Sequence, residues 1–91
     1  MNTELKETLE KGINQIQNEA QTVYSIMTRS AGKDPDEFDY ARIRYNSLTG
    51  QLDGIKWVLK TMGYTYIVID DRWQVIPEAQ YMHLIGWDAY Q

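Results

Sequence analysis

Two long apolar series, each stepping alternately by three and four positions and separated by Asp34 and Pro35, constrain this chain more than any other feature. In the first, Leu9, Ile13, Ile16, Ala20, Val23 and Met27 follow the spacing that holds a narrow stripe on one helix face. The opposite face, Asn14, Gln15, Gln17, Asn18 and Gln21, reads as solvent-facing. The helix is expected over 3–31, capped by Asn2 or Thr3 with Glu4 and Glu7 near its positive end, and stopped by Gly32. Asp34, Pro35 and Glu37 then supply an N-cap, a proline at the first helical position and a carboxylate three residues after the cap. The second helix is expected over 35–62, with Phe38, Ala41, Tyr45, Leu48, Leu52, Ile55, Leu59 and Met62 as its seam and Gly63 as its end. Two such seams so close in sequence predict an antiparallel helical hairpin. A helix of about 28 residues is a rod of roughly 42 Å, longer than the roughly 32 Å diameter of a compact 91-residue globule, so the molecule should be elongated.

After Gly63 the residue types change. Tyr64 to Ile69 are all β-branched or aromatic, and Arg72 to Ile76 repeats the character after Asp70 and Asp71, which predicts a β-hairpin over 64–76. Both faces of its first strand are apolar or aromatic, so at least one must pack on the helices or on another chain. Pro77 and Glu78 could open a short helix closed by Gly86, and Tyr81 to Trp87 could equally form a third strand. The expected fold class is α+β: a long antiparallel two-helix hairpin, a small β-hairpin, and a short C-terminal helix or strand over 77–91, all in a single domain.

Composition narrows the chemistry. The chain has no cysteine, which excludes disulfide scaffolds, zinc ribbons, thiol nucleophiles and iron–sulfur sites together. Its one histidine, His83, has no serine, carboxylate or metal-ligand spacing attached, and the adjacent Asp70 and Asp71 read as a turn and not as an acid pair. The six glycines form no phosphate loop. No enzyme, metal or cofactor is therefore expected. A net charge of −4 opposes a duplex nucleic-acid binder, which needs many basic groups on phosphates. No apolar run approaches the roughly 20 residues needed to span a bilayer, and the opening residues lack the apolar region of a secretory signal, so a soluble, cytoplasmic protein without membrane attachment is expected.

Binding is the remaining class. A second stripe on helix 2, Tyr40, Ile43, Ser47, Gly50, Gly54 and Trp57, also steps by three and four. Two glycines inside one helix cost roughly 1 kcal/mol each relative to alanine, so a close approach by something should repay them. The occupant is the protein's own β-hairpin, a second copy of the chain, or a flat ligand. Seven Tyr and three Trp against one Phe give most rings a polar handle, a bias suited to recognition surfaces, with Tyr64, Tyr66 and Trp73 as candidates in the β unit. Arg42 and Arg44, with Tyr40 and Tyr45, form the densest cation–aromatic cluster, and Arg72 stands beside Trp73. These arginines are candidate anion contacts, with ordinary ion pairing to helix 1 acids such as Glu19 as the competing reading.

The stretch from Tyr45 to Leu59 (YNSLTGQLDGIKWVL), followed by Met62, Gly63 and Tyr64, resembles small uncharacterised proteins encoded by bacteriophages and prophages, over roughly a fifth of the chain. The resemblance implies action by stoichiometric binding, either inhibiting a host defence protein or sequestering a nucleotide immune signal. The leading expectation is thus a non-enzymatic, self-associating antagonist in the host cytoplasm that occludes a host protein. The alternatives are an oligomeric nucleotide sponge using Arg42, Arg44 or Arg72, and a structural or assembly protein.

Overall fold

The computed structural model describes residues 1–84. Helices α1 (Thr3–Ser30) and α2 (Pro35–Thr61) form the expected antiparallel hairpin; strands β1 (Tyr64–Ile69) and β2 (Arg72–Pro77) pair antiparallel, and α3 (Glu78–Leu84) follows. The fold is α+β. Of the two readings for the segment after the sheet, the short helix is the one formed, while the expected stop at Gly86 and the rest of 77–91 lie outside the described residues. The molecule measures 49 × 33 × 24 Å, with a radius of gyration of 16.1 Å against about 12 Å for a compact chain of this length.

Local chemistry sets the boundaries. Asn2 caps α1 by accepting from the Leu5 N–H at 2.7 Å, and Asp34 caps α2 by accepting from the Glu37 N–H at 3.1 Å with Pro35 in the first turn. The Glu37 carboxylate does not fold back to complete a capping box; it takes Arg29 of α1 at 3.0 Å and so clamps the two helices beside their turn. Gly32 and Gly63 adopt φ of +74° and +84°, the left-handed conformation that ends each helix. Asp70 and Asp71 both have positive φ, 52° and 63°, which is the backbone of a two-residue type I′ turn and fixes the hairpin register from Ile69↔Arg72 to Tyr64↔Pro77.

The interior has two adjoining parts. Near the interhelical turn, Ala20 and Val23 pack with Ala41 and Leu48. Toward the open end, Ile13 packs with Leu52 and Leu59 and with Tyr66 and Val75 of the sheet, so the β-hairpin covers one face of the helix pair there. The seam readings hold at these positions. They fail at the α2 end: Met62, just past the helix, is 49% exposed.

The α1 face read as solvent needs a larger correction. Asn14 lies against β2, where its Oδ1 accepts the Trp73 N–H at 2.9 Å and its Nδ2 donates to the Trp73 carbonyl at 2.8 Å. One turn earlier, Glu10 Oε2 accepts the Val75 N–H at 2.8 Å. Residues four apart share a helix face, so these two polar side chains act as a surrogate third strand along the outer edge of β2. Asn14→Ala orphans a part-buried donor and acceptor and is expected to cost about 1–3 kcal/mol in urea unfolding followed by circular dichroism. Asn18→Ala, one turn further along the same face but exposed, is expected to stay within about 0.5 kcal/mol of the parent.

Candidate functional site

At 100° per residue, Tyr40, Ile43, Ser47, Gly50, Gly54 and Trp57 fall on the side of α2 opposite its buried Ala41, Leu48, Leu52 and Leu59. The stripe therefore faces away from the core. Tyr40 and Trp57 are each 69% exposed and Ile43 is 61% exposed. The β-hairpin does not lie in this groove, which removes the intramolecular occupant: the hairpin is drawn to the other face by the Glu10 and Asn14 bonds to β2. Among the described residues a Cβ placed on Gly50 or Gly54 would meet nothing within 4 Å, so packing among them does not account for either glycine.

The stripe continues into a second feature. Between the helices, on the face the sheet leaves uncovered, an apolar groove of about 540 Å³ is walled by Leu5, Leu9 and Ile16 of α1 and by Gly54, Val58 and Met62 at the α2 side. Gly54 belongs to both. Leu5, Val58 and Met62 were missed as surface residues, although Leu5 stands four residues before Leu9 and extends the α1 series by one step beyond the end of the opposing core.

The aromatic residues of the β unit take structural roles. Tyr66 is buried, its hydroxyl donates to the Leu52 carbonyl at 3.4 Å, and its ring meets that of Trp73 edge-on with centroids 5.5 Å apart. Tyr64 is half-buried, and its hydroxyl accepts from the N-terminal ammonium of Met1 at 2.9 Å. Expected as interface residues, Tyr66 and Trp73 instead join the sheet to the helices, because the inward face of the strands is the face with a core to fill.

The arginines do not converge. Arg44 reaches across the helical hairpin and binds Glu19 through Nε at 2.9 Å and through a second guanidinium nitrogen, which satisfies the fork with a carboxylate of the same chain. Arg42, two residues earlier and so on another helix face, pairs with Asp39 at 3.7 Å. Tyr45 is half-buried against Tyr24 at 5.7 Å, apart from the exposed Tyr40. Arg72 borders a broad polar depression shared with Glu7, Glu10, Lys11 and Asp71, where carboxylates compete for any cation. The expected cation–aromatic cluster is thus taken apart by ordinary ion pairing.

His83 is exposed on α3. Among the described residues no group of three or more His, Asp or Glu side chains is placed to hold a metal ion, and no helix is long and apolar enough to cross a membrane. Compared with protein-family models, with curated proteins and with solved structures, the chain matches none.

One titrating group is perturbed where site and core meet. Burial, and secondarily the Asp53 carboxylate, push the Tyr66 phenol above its usual 10.0. The unfolded chain releases that proton near pH 10 while the folded chain retains it. Stability from this group is therefore whole below about pH 10 and declines as pH rises through the folded value. In a urea-midpoint series extending above pH 10, Tyr66→Phe is expected to show a shallower alkaline loss than the parent, on top of a pH-independent offset.

Proposed function

We propose that this protein is a non-enzymatic, self-associating binding protein of the host cytoplasm that acts by occluding a host factor, as small phage-encoded antagonists do. One observation carries the reading: the outward face of α2 exposes Tyr40 and Ile43 toward one end and Trp57 toward the other, with the small residues Ser47, Gly50 and Gly54 between them. Tyr40, Ile43, Trp57, Val58, Met62 and Leu5 together offer on the order of 700 Å² of surface, near the roughly 800 Å² per partner of a standard interface. Isolated exposed apolar residues need no explanation, but exposed rings grouped along one helix face beside an apolar groove favour an interaction surface.

A second copy suits this surface. A two-fold axis beside Gly50 places the bulky Tyr40 and Ile43 of one α2 against Trp57 of the other and lets the two backbones approach at Gly50 and Gly54, which repays the helix propensity those glycines forfeit. The polar side chains favour binding over catalysis: Glu10, Asn14, Glu19, Glu37, Arg29 and Arg44 are all occupied in holding the fold together. The nucleotide-sponge reading is weaker than it was in the sequence, since Arg44 already holds Glu19.

The glycines separate folding from association. Gly50→Ala/Gly54→Ala is expected to raise the stability of the monomer by up to about 1 kcal/mol per site. Gly50→Leu/Gly54→Leu is expected to weaken self-association at least tenfold in sedimentation equilibrium with an unchanged circular dichroism spectrum. A parent protein that sediments as a monomer at high micromolar concentration, or a leucine variant that associates as the parent does, defeats the self-association.

A further inference from the structure

We infer that the outer edge of β1 is a strand-addition site that takes an extended, acidic peptide segment of a partner protein. The inference rests on the binding reading above and names the chemistry of the occluded partner.

The two edges of the sheet are treated differently. Trp73 and Val75 of β2 turn their backbone groups away from β1, where Asn14 and Glu10 meet them. In an antiparallel pair such outward residues alternate with inward ones, so Gln74 and Ile76 face β1, and their register partners Ile67 and Thr65 face β2. The backbone N–H and C=O groups of Tyr66 and Val68 therefore point out of the sheet on the far side, and among the described residues nothing plays for them the part that Glu10 and Asn14 play for β2. The chain closes one edge with two polar side chains and leaves the other open, and an open edge is a template for another strand.

Space and charge define the occupant. A cleft of about 190 Å³ is lined by the consecutive strand residues 64–67, with Lys56 and Lys60 of α2 on one side and Glu78 and Tyr81 of α3 on the other. Consecutive strand residues point to opposite faces, so a cleft touching all four runs along the edge and not over one face. Lys56 and Lys60 form no ion pair among the described residues. Four residues apart on a helix, they are spaced by roughly 6 Å, close to the roughly 6.7 Å between alternate residues of a strand. An added strand bearing carboxylates at i and i+2 matches both lysines, while its intervening side chains fall on the side of Tyr81. Alternating acidic and β-branched residues without proline meet these requirements.

The test is amide hydrogen exchange by NMR on the intact protein, with a blocked hexapeptide of alternating glutamate and valine as the probe and its lysine–valine counterpart as the control. In the free protein the Val68 and Tyr66 amides should exchange faster than those of Thr65 and Ile67. The glutamate peptide should slow them at least tenfold and the lysine peptide should not. Lys56→Glu/Lys60→Glu should reverse that preference. Val68→Pro removes an outward donor while sparing the β1–β2 ladder, a position where an edge strand tolerates proline, and should abolish binding.

Three results overturn the inference: no protection by the glutamate peptide at roughly millimolar concentration, an unchanged preference in the double lysine variant, or edge amides already protected in the free protein. Protection of the free protein that grows with its own concentration assigns the edge to a second copy instead. Failure of self-association through α2 leaves this exchange pattern untouched, so the two readings fail separately.

Discussion

The attachment of β2 to α1 is the interaction on which the other contacts depend. A two-stranded hairpin is marginal by itself, and this one gains what a third strand would give from Glu10 and Asn14. Holding β2 there brings Val75 over Ile13 and carries Tyr66 to Leu52, so that Ile13, Leu59 and Val75 become almost completely buried. Without that attachment the open end of the helical hairpin would keep two uncovered apolar faces. With it, one face is core and the other becomes surface.

The same attachment determines which features are available for recognition. Because the sheet is drawn to one side, the second stripe of α2 stays exposed and, among the described residues, nothing packs against its two internal glycines. Because β2 is the strand that faces α1, β1 is the strand whose edge is left open. The two candidate binding features are consequences of one asymmetric packing arrangement.

Much of the architecture was legible because it is written in local codes. The 3–4 spacing of Ile13, Ala20 and Val23 and of Ala41, Leu48 and Leu52, the Asp34–Pro35 start and the Asp70–Asp71 turn each depend on residues a few positions apart. The roles of Glu10 and Asn14 were not legible, since their partners lie 65 and 59 residues away and are backbone groups without sequence identity. Hydropathy sorts Asn14 with Gln15 and Asn18, and only the fold distinguishes them. For α2, periodicity separated the seam from the second stripe but could not say what covers the second, because the placement of the β-hairpin is not written in local spacing. Likewise, the aromatic bias of the β unit was visible, but whether Tyr66 and Trp73 faced a partner or the core depended on which side the helices occupied.

That long separation also bears on vectorial synthesis. The helical hairpin can form as soon as α2 leaves the ribosome, but the backbone groups that Glu10 and Asn14 serve are still in the exit tunnel. During that interval the nascent chain displays Ile13, Leu52 and Leu59 as an uncovered apolar surface, and its polar pair remains hydrated. The hairpin register, set locally by two adjacent aspartates, then lets β1 and β2 arrive as a formed pair, which shortens the period in which the nascent chain could be captured by a chaperone or by a neighbouring nascent copy.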